Sequence, residues 1–515
     1  RQNEPDVRLP APTAALELES LLLPEESPCF RMEHLRLEGN PPSVFSWLEK
    51  SLAVYEGRCI GHQGINLILQ RASAQIISKG YVTTRLGVPE QDLASGTLRL
   101  VLVPGVVRVI RIVGDAPDRS WRSAFPVRPG ELLNLRDIEQ GLEQMKRVPS
   151  QEVTIDIAPG ETPGESDIVL TVTQSKPWRV ALTLDDSGAK ATGRLQTSLT
   201  ASLDNPLGLN DLFSFSVNND AERTPQQRGT AGQNYMYSVP WGNWTLLLSD
   251  SISRYLQTVK GINQTFQSSG DAHNQEIKLQ RLVCRDQAAK TTLQFRLLAR
   301  ESRSFIEDAE IVIQHRRTTS AELGVAHRKY FGSSQLDLLL AHRQGVPWIG
   351  GQVDRPGRSG ESPTFGFRAQ TLDATLITPF SIADQSLRWI SALRVQSTTD
   401  VLYGTDFIAI GGRYSVRGFD GDTTLAAEHG GYLRNDLELP IASIGHAAYI
   451  GIDHGWVGGP SAEYLVGRKL TGAVVGLRGG SKDIYYDLFI GGALQKPEGF
   501  PVSRPVAGFL LSYQL

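Results

Sequence analysis

Apolar and polar residues alternate along the last two thirds of the chain, from Trp178 to Leu515. A period of two over short segments is typical of β-strands that have one face in an apolar environment. An even number of strands is what a single-chain bacterial barrel has. The segments number about sixteen and start near residues 179, 193, 211, 233, 243, 274, 290, 319, 333, 363, 385, 430, 446, 469, 483 and 506.

The connections between these segments predict how a barrel would be oriented. Those after even-numbered strands are short, for example 205–208, 240–243 and 479–482, whereas those after odd-numbered strands are mostly long. Short turns on one rim and long loops on the other are typical of an outer-membrane barrel, with the short turns in the periplasm. The alternate positions are polar, which predicts a wet lumen. They include Thr183, Gln196, Ser198, Ser214, Gln294 and Arg296.

Residues before 178 have the spacing of small α/β domains. Apolar residues three and four apart predict one helix that ends at Gly80 and a second that follows an N-cap at Asn134. Alternating segments after each helix predict strands, so we expect two modules, 29–105 and 106–177. Neither has a glycine-rich phosphate loop or a nucleophile motif, and we interpret both as binding modules. The predicted helices carry Ile65, Ile68, Leu69, Ala72 and Ile76, and then Leu135, Ile138, Leu142 and Met145.

The first 28 residues contain five prolines around one helix-compatible run, Thr13 to Leu23. Its leucines are poorly confined to one stripe, so this short helix would have to dock into something else. The alternative is a disordered extension. The apolar residues of the run are Leu16, Leu18, Leu21, Leu22 and Leu23.

Composition excludes several classes of protein. Lys and Arg total 52 against 55 for Asp and Glu, so no basic field points to nucleic acid. The mean hydropathy is -0.20 and no run of about 18 apolar residues occurs, which excludes a spanning helix but not a barrel. The nine histidines and three cysteines show no metal spacing and no catalytic constellation, so we expect no metal, no cofactor and no enzyme. The start at Arg1 without a leader predicts either a chain that is not exported or one whose signal peptide is removed.

Two of the cysteines, Cys29 and Cys59, lie in one short segment. Closing this loop with a disulfide would stabilise the first module by roughly 3 to 4 kcal/mol in an oxidising compartment. The alternative is two buried free thiols.

The longest connection, 399–429, contains the glycine-rich segment 411–421. Its glycines would let the loop fold back tightly, and an arginine among them could reach into the lumen if a carboxylate received it. Asp453 lies on a predicted strand between small neighbours that leave room for such a side chain. Spacing alone nevertheless favours a solvated loop arginine at Arg417 and an ordinary lumen carboxylate at Asp453.

A family resemblance changes this interpretation. The segment Val416-Arg417-Gly418-Phe419 resembles the VRG[FY] loop motif of the superfamily that joins periplasmic POTRA modules to an outer-membrane barrel, and Asp453-His454-Gly455 is similar to its later D-x-G strand motif. Two such modules before sixteen strands resemble the two-partner secretion transporters, the TpsB family, which includes transporters of filamentous hemagglutinins, hemolysins and contact-dependent inhibition toxins. The resemblance covers essentially the whole chain. One departure is the end, Tyr513-Gln514-Leu515, where many outer-membrane proteins end in Phe.

The resemblance implies both an architecture and a function. Residues 1–28 would be a plug helix and linker, with Leu16, Leu18, Leu21 and Leu22 on the helix, and 178–515 a barrel with loop 399–429 folded into its lumen. Arg417 would pair with Asp453, and Gly455 would belong to the same anchoring motif. The protein would be a monomer in the outer membrane, in contact with its lipid and not with nucleic acid. It would capture an unfolded TpsA-like exoprotein in the periplasm and secrete it without nucleotide hydrolysis.

Two other functions remain open on sequence alone. An outer-membrane insertase shares the loop motif, but its relatives usually carry more POTRA modules. A passive porin needs no such modules.

Overall fold

The computed structural model describes residues 6–9, 22–39, 42–117, 119–222, 224, 227–441 and 445–515. The chain divides into two compact units, one containing residues 1–176 and the other most of the remainder. Among the described residues, no helix has the length and apolar character needed to cross a membrane.

The first module of the N-terminal unit packs two helices on a small sheet. Strand β5 is central, parallel to β2 and antiparallel to β4, and β1 pairs with β3. The predicted helix around Ile68 is α2, whose buried stripe packs on the sheet, and the chain then turns at Gly80 with φ +94°. The elements are β1 (Phe30–Arg31), β2 (His34–Glu38), α1 (Ser46–Leu52), β3 (Cys59–Ile60), α2 (His62–Ser78), β4 (Arg85–Gly87) and β5 (Thr97–Val103).

The second module repeats this plan. Its three-stranded sheet has β8 in the centre, parallel to β6 and antiparallel to β7, and α4 buries Ile138, Leu142 and Met145 against it. Asn134 caps α4 as predicted, because its side chain accepts a 2.8 Å hydrogen bond from the Arg136 N–H. The elements are β6 (Val106–Gly114), α3 (Trp121–Ala124), α4 (Leu135–Lys146), β7 (Gln151–Pro159) and β8 (Glu165–Gln174).

A disulfide and a carboxylate tie the linker to the first module. Cys29 and Cys59 form a disulfide with their Cα atoms 5.4 Å apart. Glu26 lies at the start of α2, where its carboxylate accepts hydrogen bonds of 2.7 to 2.9 Å from the N–H groups of Gly61, Gln63 and Gly64. Desolvation alone would raise the pKa of Glu26, but these three bonds hold it below its usual value. The side chain therefore replaces the missing intrahelical acceptors of α2.

The predicted plug helix falls almost entirely outside the described residues. Leu16, Leu18 and Leu21 lie there, so the helix stays a prediction. Leu22 and Leu23 are described and lie outside any helix, as the following Pro24 favours. The Leu22 carbonyl accepts a 3.1 Å hydrogen bond from Arg71, while its side chain is 78% exposed.

The second unit is a closed antiparallel barrel of sixteen long strands, which confirms the fold class predicted from the alternation. The first and last strands close it, with Asp185 opposite Leu510 and Ala181 opposite Gln514. The short β16 extends the β15 hairpin, and β21 and β22 pair within a loop. The strands are β9 (Trp178–Asp185), β10 (Gln196–Asp204), β11 (Leu212–Asp220), β12 (Gly229–Trp241), β13 (Trp244–Lys260), β14 (Thr265–Arg285), β15 (Ala289–Ile306), β16 (Ala309–Glu310), β17 (Arg316–Phe331), β18 (Ser334–Gly345), β19 (Arg368–Ile382), β20 (Gln385–Ser397), β21 (Ile408–Ile410), β22 (Leu425–Ala427), β23 (His429–Ile441), β24 (His446–Gly458), β25 (Lys469–Gly480), β26 (Ile484–Gln495) and β27 (Val506–Gln514).

Two predicted strand positions were wrong by more than four residues. β14 begins at Thr265 and not near residue 274, because its first half is polar on both faces and carries no alternation. β19 begins at Arg368 and not near residue 363, because the preceding residues belong to a loop held by Asp354, which accepts a 2.8 Å hydrogen bond from the Phe365 N–H. The connection 261–264 is short although it follows an odd-numbered strand.

The two faces of the barrel wall differ in chemistry as predicted. Neighbouring strands place apolar side chains side by side on the outer face, for example Leu182, Leu199 and Val217. The inner face carries charged groups in contact with each other, such as Arg296 with Glu276 at 2.7 Å. An apolar belt outside and a polar surface inside are what a membrane barrel with a wet lumen requires.

Candidate functional site

The connection between β20 and β23, residues 398–428, folds against the inner wall of the barrel. On β24, Ile450 and Ile452 are 58% and 57% exposed on the outer face, whereas Asp453 points the opposite way and is 1% exposed. Asp453 contacts the loop residue Arg417, which is itself 3% exposed. The loop therefore lies on the lumen side of these strands.

Arg417 makes the most extensive polar contacts of this loop. Its backbone N–H and its Nε both donate to Asp453 Oδ2, at 2.9 and 2.7 Å, and its Nη2 donates to Asp453 Oδ1 at 2.7 Å. Nη2 also donates to Asp436 on β23. A bidentate guanidinium–carboxylate pair fixes orientation as well as position. Arg417 thus anchors the loop to two adjacent strands.

The carboxylates that hold Arg417 belong to a larger ion-pair network on the wall. Arg478 on β25 donates to the second oxygen of Asp436 at 3.0 Å and pairs with Glu438. Glu438 is fully buried and also pairs with Arg388 on β20. Alternating cations and anions compensate one another, which is what burial of charge requires. Losing Arg417 would leave two buried carboxylates with less positive charge nearby.

Glycines give the loop room to approach the wall. A Cβ at Gly472 on β25 would lie 1.8 Å from the Arg417 carbonyl oxygen, so no larger residue fits there without moving the loop. Gly418 has φ +90°, and a Cβ there would lie 2.5 Å from the Gly492 carbonyl oxygen. On β24, a Cβ at Gly451 would lie 2.6 Å from Arg417 Nη2, and one at Gly455 would lie 2.7 Å from Val416 Cγ2. The backbone of the loop is therefore in direct contact with the barrel wall.

The apolar residues of the motif fill a small core beside the ion pairs. Val416 is fully buried and Phe419 is 2% exposed. Phe419 packs edge-on against Phe500 of the last long loop, with ring centroids 5.7 Å apart. The β21–β22 hairpin completes this cluster with Ile408, Ile410, Leu425 and Ala427.

The loop is also tied to the connection between β9 and β10, through residues on either side of Arg417. Arg413 pairs with Asp186 at 3.0 Å, and Asp186 also accepts a hydrogen bond from the Phe509 N–H. Lys190 pairs with Asp422 at 2.8 Å, and this hydrogen bond raises the pKa of the lysine. The loop is thus fixed by Arg417 itself and by an ion pair on each side of it.

Sequence reasoning identified only part of this site. The structure brings together Val416, Arg417, Gly418 and Phe419 with Asp453 and Gly455, the two sets that the motifs single out. It adds Asp436, Glu438 and Arg478, which are single charged residues at alternate positions, like many others on a lumen face. Gly472 was also missed, although small residues at 472 and 476 on one face of a strand are a signal of close backbone approach.

Nothing in the site suggests a cofactor. Over the described part of the chain, no group of three or more His, Cys, Asp or Glu side chains could hold a metal ion. The carboxylates of the site are paired with arginines, so the arrangement can hold a loop in place.

Comparisons with known proteins agree with this architecture. The family described as haemolysin secretion/activation protein ShlB/FhaC/HecB matches residues 164–479, a ShlB-type POTRA domain matches 30–105, and a further POTRA domain matches 106–159. The chain is similar to the outer membrane transporter CdiB-2 of Burkholderia pseudomallei (strain 1026b), with 43% identity over 96% of this chain and 88% of the relative. It is 31% identical to the outer membrane transporter CdiB of Dickeya dadantii (strain 3937), over 94% and 86% of the two chains. Among solved structures, CdiB from Escherichia coli is similar with a TM-score of 0.88 and 28% identity, covering 97% of this chain and 94% of that one.

Proposed function

Since the chain belongs to the ShlB/FhaC/HecB family of two-partner secretion transporters, we propose that it captures an unfolded exoprotein in the periplasm and passes it through its barrel to the cell surface without nucleotide. As an outer-membrane transporter it has its POTRA modules in the periplasm and its barrel in the membrane. The family consists of transporters and not of enzymes.

The observation that best supports a regulated passage is the anchored lumen loop. Arg417 is held by four hydrogen bonds to two carboxylates on the barrel wall, in a network of charges that is buried but balanced. A passive pore has no need of such a costly arrangement, because burying charged groups is favourable only when each is well paired. We infer that the anchor sets the position of the loop in the lumen and that export requires this position.

Partner capture would use the open edges of the module sheets. In the second module β7 is an edge strand, with Thr154 and Asp156 exposed along it. An edge strand offers unpaired N–H and C=O groups, to which an extended segment can add as a further strand. Main-chain bonding of this kind tolerates varied sequence, which suits a long unfolded partner.

Export would need no chemical fuel in this scheme. Folding of the emerged part of the partner outside the cell lowers its free energy and prevents its return, so diffusion through the barrel becomes directional. The partner would be a secreted TpsA-like exoprotein, and the transporter would act as a monomer.

The function can be tested in cells that make a TpsA-like exoprotein and have no other transporter for it. Surface exposure of the exoprotein should depend on this chain, should be sharply lower with Arg417→Ala, and should be unchanged with Arg254→Ala, a matched loss of an exposed arginine on β13. Heat-modifiable migration on gels would verify that each variant forms a barrel. Secretion that is equal with and without this chain would refute the proposal.

Capture and energy supply need separate tests. A photo-crosslinker at Thr154 should trap the exoprotein, whereas one at the exposed Lys146 of α4 should not. In liposomes free of nucleotide, the purified chain should still move an unfolded exoprotein fragment into the liposome interior, where added protease cannot reach it. A strict requirement for added ATP would contradict the nucleotide-independent scheme.

A further inference from the structure

A cavity opens on the outer wall of the barrel, at the upper limit of its apolar belt. It has a volume of about 350 Å³ and adjoins a second cavity of about 320 Å³, with which it shares Gln275, Ala299 and Ile349. Volumes of a few hundred Å³ are typical of sites for small ligands. Neither cavity includes a residue of the Arg417 site.

The first cavity, called the lower cavity because it lies nearer the short turns, spans a sharp change of polarity along the strands. Leu248, Ile277 and Leu297 lie side by side in one row of the outer face. The next row, away from the short turns, consists of Asp250, Gln275 and Ala299. Gln275 Nε2 donates to Asp250 Oδ2 at 3.1 Å, and His273 Nε2 lies 2.8 Å from the same oxygen. The cavity thus has an apolar lower wall and a hydrogen-bonded polar upper wall.

An extracellular loop covers this boundary in an unusual conformation. Val346 N–H and Gln352 N–H donate to the carbonyls of Thr319 and Arg317 at 2.8 Å, so the residues between them are held beside β17. Ile349, at the turn, lines both cavities and has φ +52°. A β-branched residue rarely adopts positive φ, and such outliers often occur where a segment is shaped for a ligand. Trp348 and Ile349 are 50% and 64% exposed, which leaves apolar surface next to the belt.

We propose that these two cavities form a binding site for one glycolipid of the outer leaflet, with an acyl chain against the Leu248–Ile277–Leu297 row and the sugar headgroup against Asp250, Gln275 and His273. The site is continuous with the lipid-facing belt, so a membrane amphiphile is the molecule that meets it. Tyr235 and Tyr237 line the lower cavity, and tyrosine suits this boundary because its ring is apolar and its hydroxyl polar.

The headgroup assignment rests on hydrogen-bonding capacity. Carboxylate oxygens from Asp250 and Glu301 accept, the Gln275 amide both donates and accepts, and Arg317 donates. A sugar with hydroxyl and amide groups needs donors and acceptors together. The phosphodiester of a phospholipid offers only acceptors, and phosphatidylglycerol adds just two hydroxyl donors, so a phospholipid would satisfy fewer of these groups than a sugar with several hydroxyls and amides. The site therefore favours a glycolipid over a phospholipid.

The test compares two lipids on the full-length chain in detergent micelles by native mass spectrometry. The probes are a defined lipid A with two core sugars and a phosphatidylglycerol. Ala299→Trp fills the space shared by both cavities, and Ala448→Trp is its matched control, on the outer face of β24 between Leu439 and Leu477. Asp250→Ala removes the central acceptor of the polar wall.

We expect one lipid A to bind wild type and Ala448→Trp at least tenfold more tightly than phosphatidylglycerol. Ala299→Trp should weaken lipid A binding by tenfold or more, and Asp250→Ala should weaken the binding of lipid A more than that of phosphatidylglycerol. Equal binding of lipid A by the two tryptophan variants would overturn the site. If Asp250→Ala changes both lipids equally, or neither, headgroup recognition is refuted.

Discussion

Replacing Gly472 by alanine should release the lumen loop without touching any charged group. The added Cβ would lie 1.8 Å from the Arg417 carbonyl oxygen. Since β25 is paired on both sides, the strand is held and the loop must move instead. We expect export to fall as sharply as we predict for the removal of Arg417 itself.

The structure gives the size of this effect. Restoring an ordinary van der Waals contact requires the Arg417 backbone to withdraw by more than ~1 Å. Its N–H bond to Asp453, 2.9 Å long, would then be broken, and the bidentate pair would lose its alignment. A hydrogen bond to a charged group is worth roughly 1.5 to 3 kcal/mol. Loss of one such bond should therefore shift the balance between anchored and released loop by about tenfold or more, since about 1.4 kcal/mol is a factor of ten.

Trypsin cleavage on intact cells can measure the released fraction. Arg417 is 3% exposed, so trypsin should cut after it only when the loop leaves the wall. When opening is fast relative to cleavage, the cutting rate follows the population of the open form. The cutting rate at Arg417, read by mass spectrometry of the fragments, should rise by about tenfold or more in Gly472→Ala, and secretion of the exoprotein should fall in parallel.

Gly492→Ala is the matched control for this experiment. It makes the same substitution on the neighbouring strand, where the new Cβ would meet nothing within 4 Å. It should leave both secretion and trypsin resistance at the level of wild type. If Gly472→Ala behaves like Gly492→Ala in both assays, the loop is not held by close contact with the wall and our explanation of the glycines is wrong.

Three further predictions concern the N-terminal unit. Deleting residues 1–24 should raise single-channel conductance in planar bilayers, because the predicted plug helix would be absent; equal conductance would argue against a plug. Glu26→Gln should speed hydrogen exchange in α2 at pH 7, and the difference should vanish as the pH falls through the low pKa of Glu26, because a depressed carboxyl pKa stabilises only above it; a difference that persists in acid would contradict the capping role. Burial, with a smaller effect from Glu131, raises the pKa of Asp137 to about 6, so its charge destabilises the fold above that pH. Asp137→Asn should therefore slow hydrogen exchange in α4 at pH 8, by an amount equivalent to at most about 3 kcal/mol in the free energy of opening. The favourable interaction of the Asp137 charge with the N-terminus of α4 reduces this gain. The variant should differ little from wild type near pH 4, and exchange that is slower in wild type than in the variant at pH 8 would refute the prediction.

The barrel could be predicted from sequence because the same requirement applies to every strand. Each strand must present apolar residues to lipid and polar residues to water, and a period of two results. The signal disappears where both faces of a strand meet water, which explains why the first half of β14 was missed. Loop lengths carried independent information, since periplasmic turns such as 332–333 are short whatever their sequence.

The site was less predictable because its partners come from separate strands. The glycines around Arg417 and the small neighbours of Asp453 are local patterns, and resemblance linked them. Asp436 has no distinguishing neighbour, and only the register places it beside Arg417. Whether Gly472 is a turn residue, a weak point of a strand or a contact surface depends on what lies opposite, and one sequence does not contain that information.

The central claim is that Arg417 and Asp453 act as one anchor whose integrity export requires. A double-mutant cycle on secretion tests it most directly, with Arg417→Ala, Asp453→Ala and the combined variant assayed at equal barrel levels in the outer membrane. We predict that each single change lowers exoprotein secretion to a similar degree and that the combination lowers it no further, because either change already breaks the pair. Normal secretion by Arg417→Ala, or losses that simply multiply in the combined variant, would contradict the account.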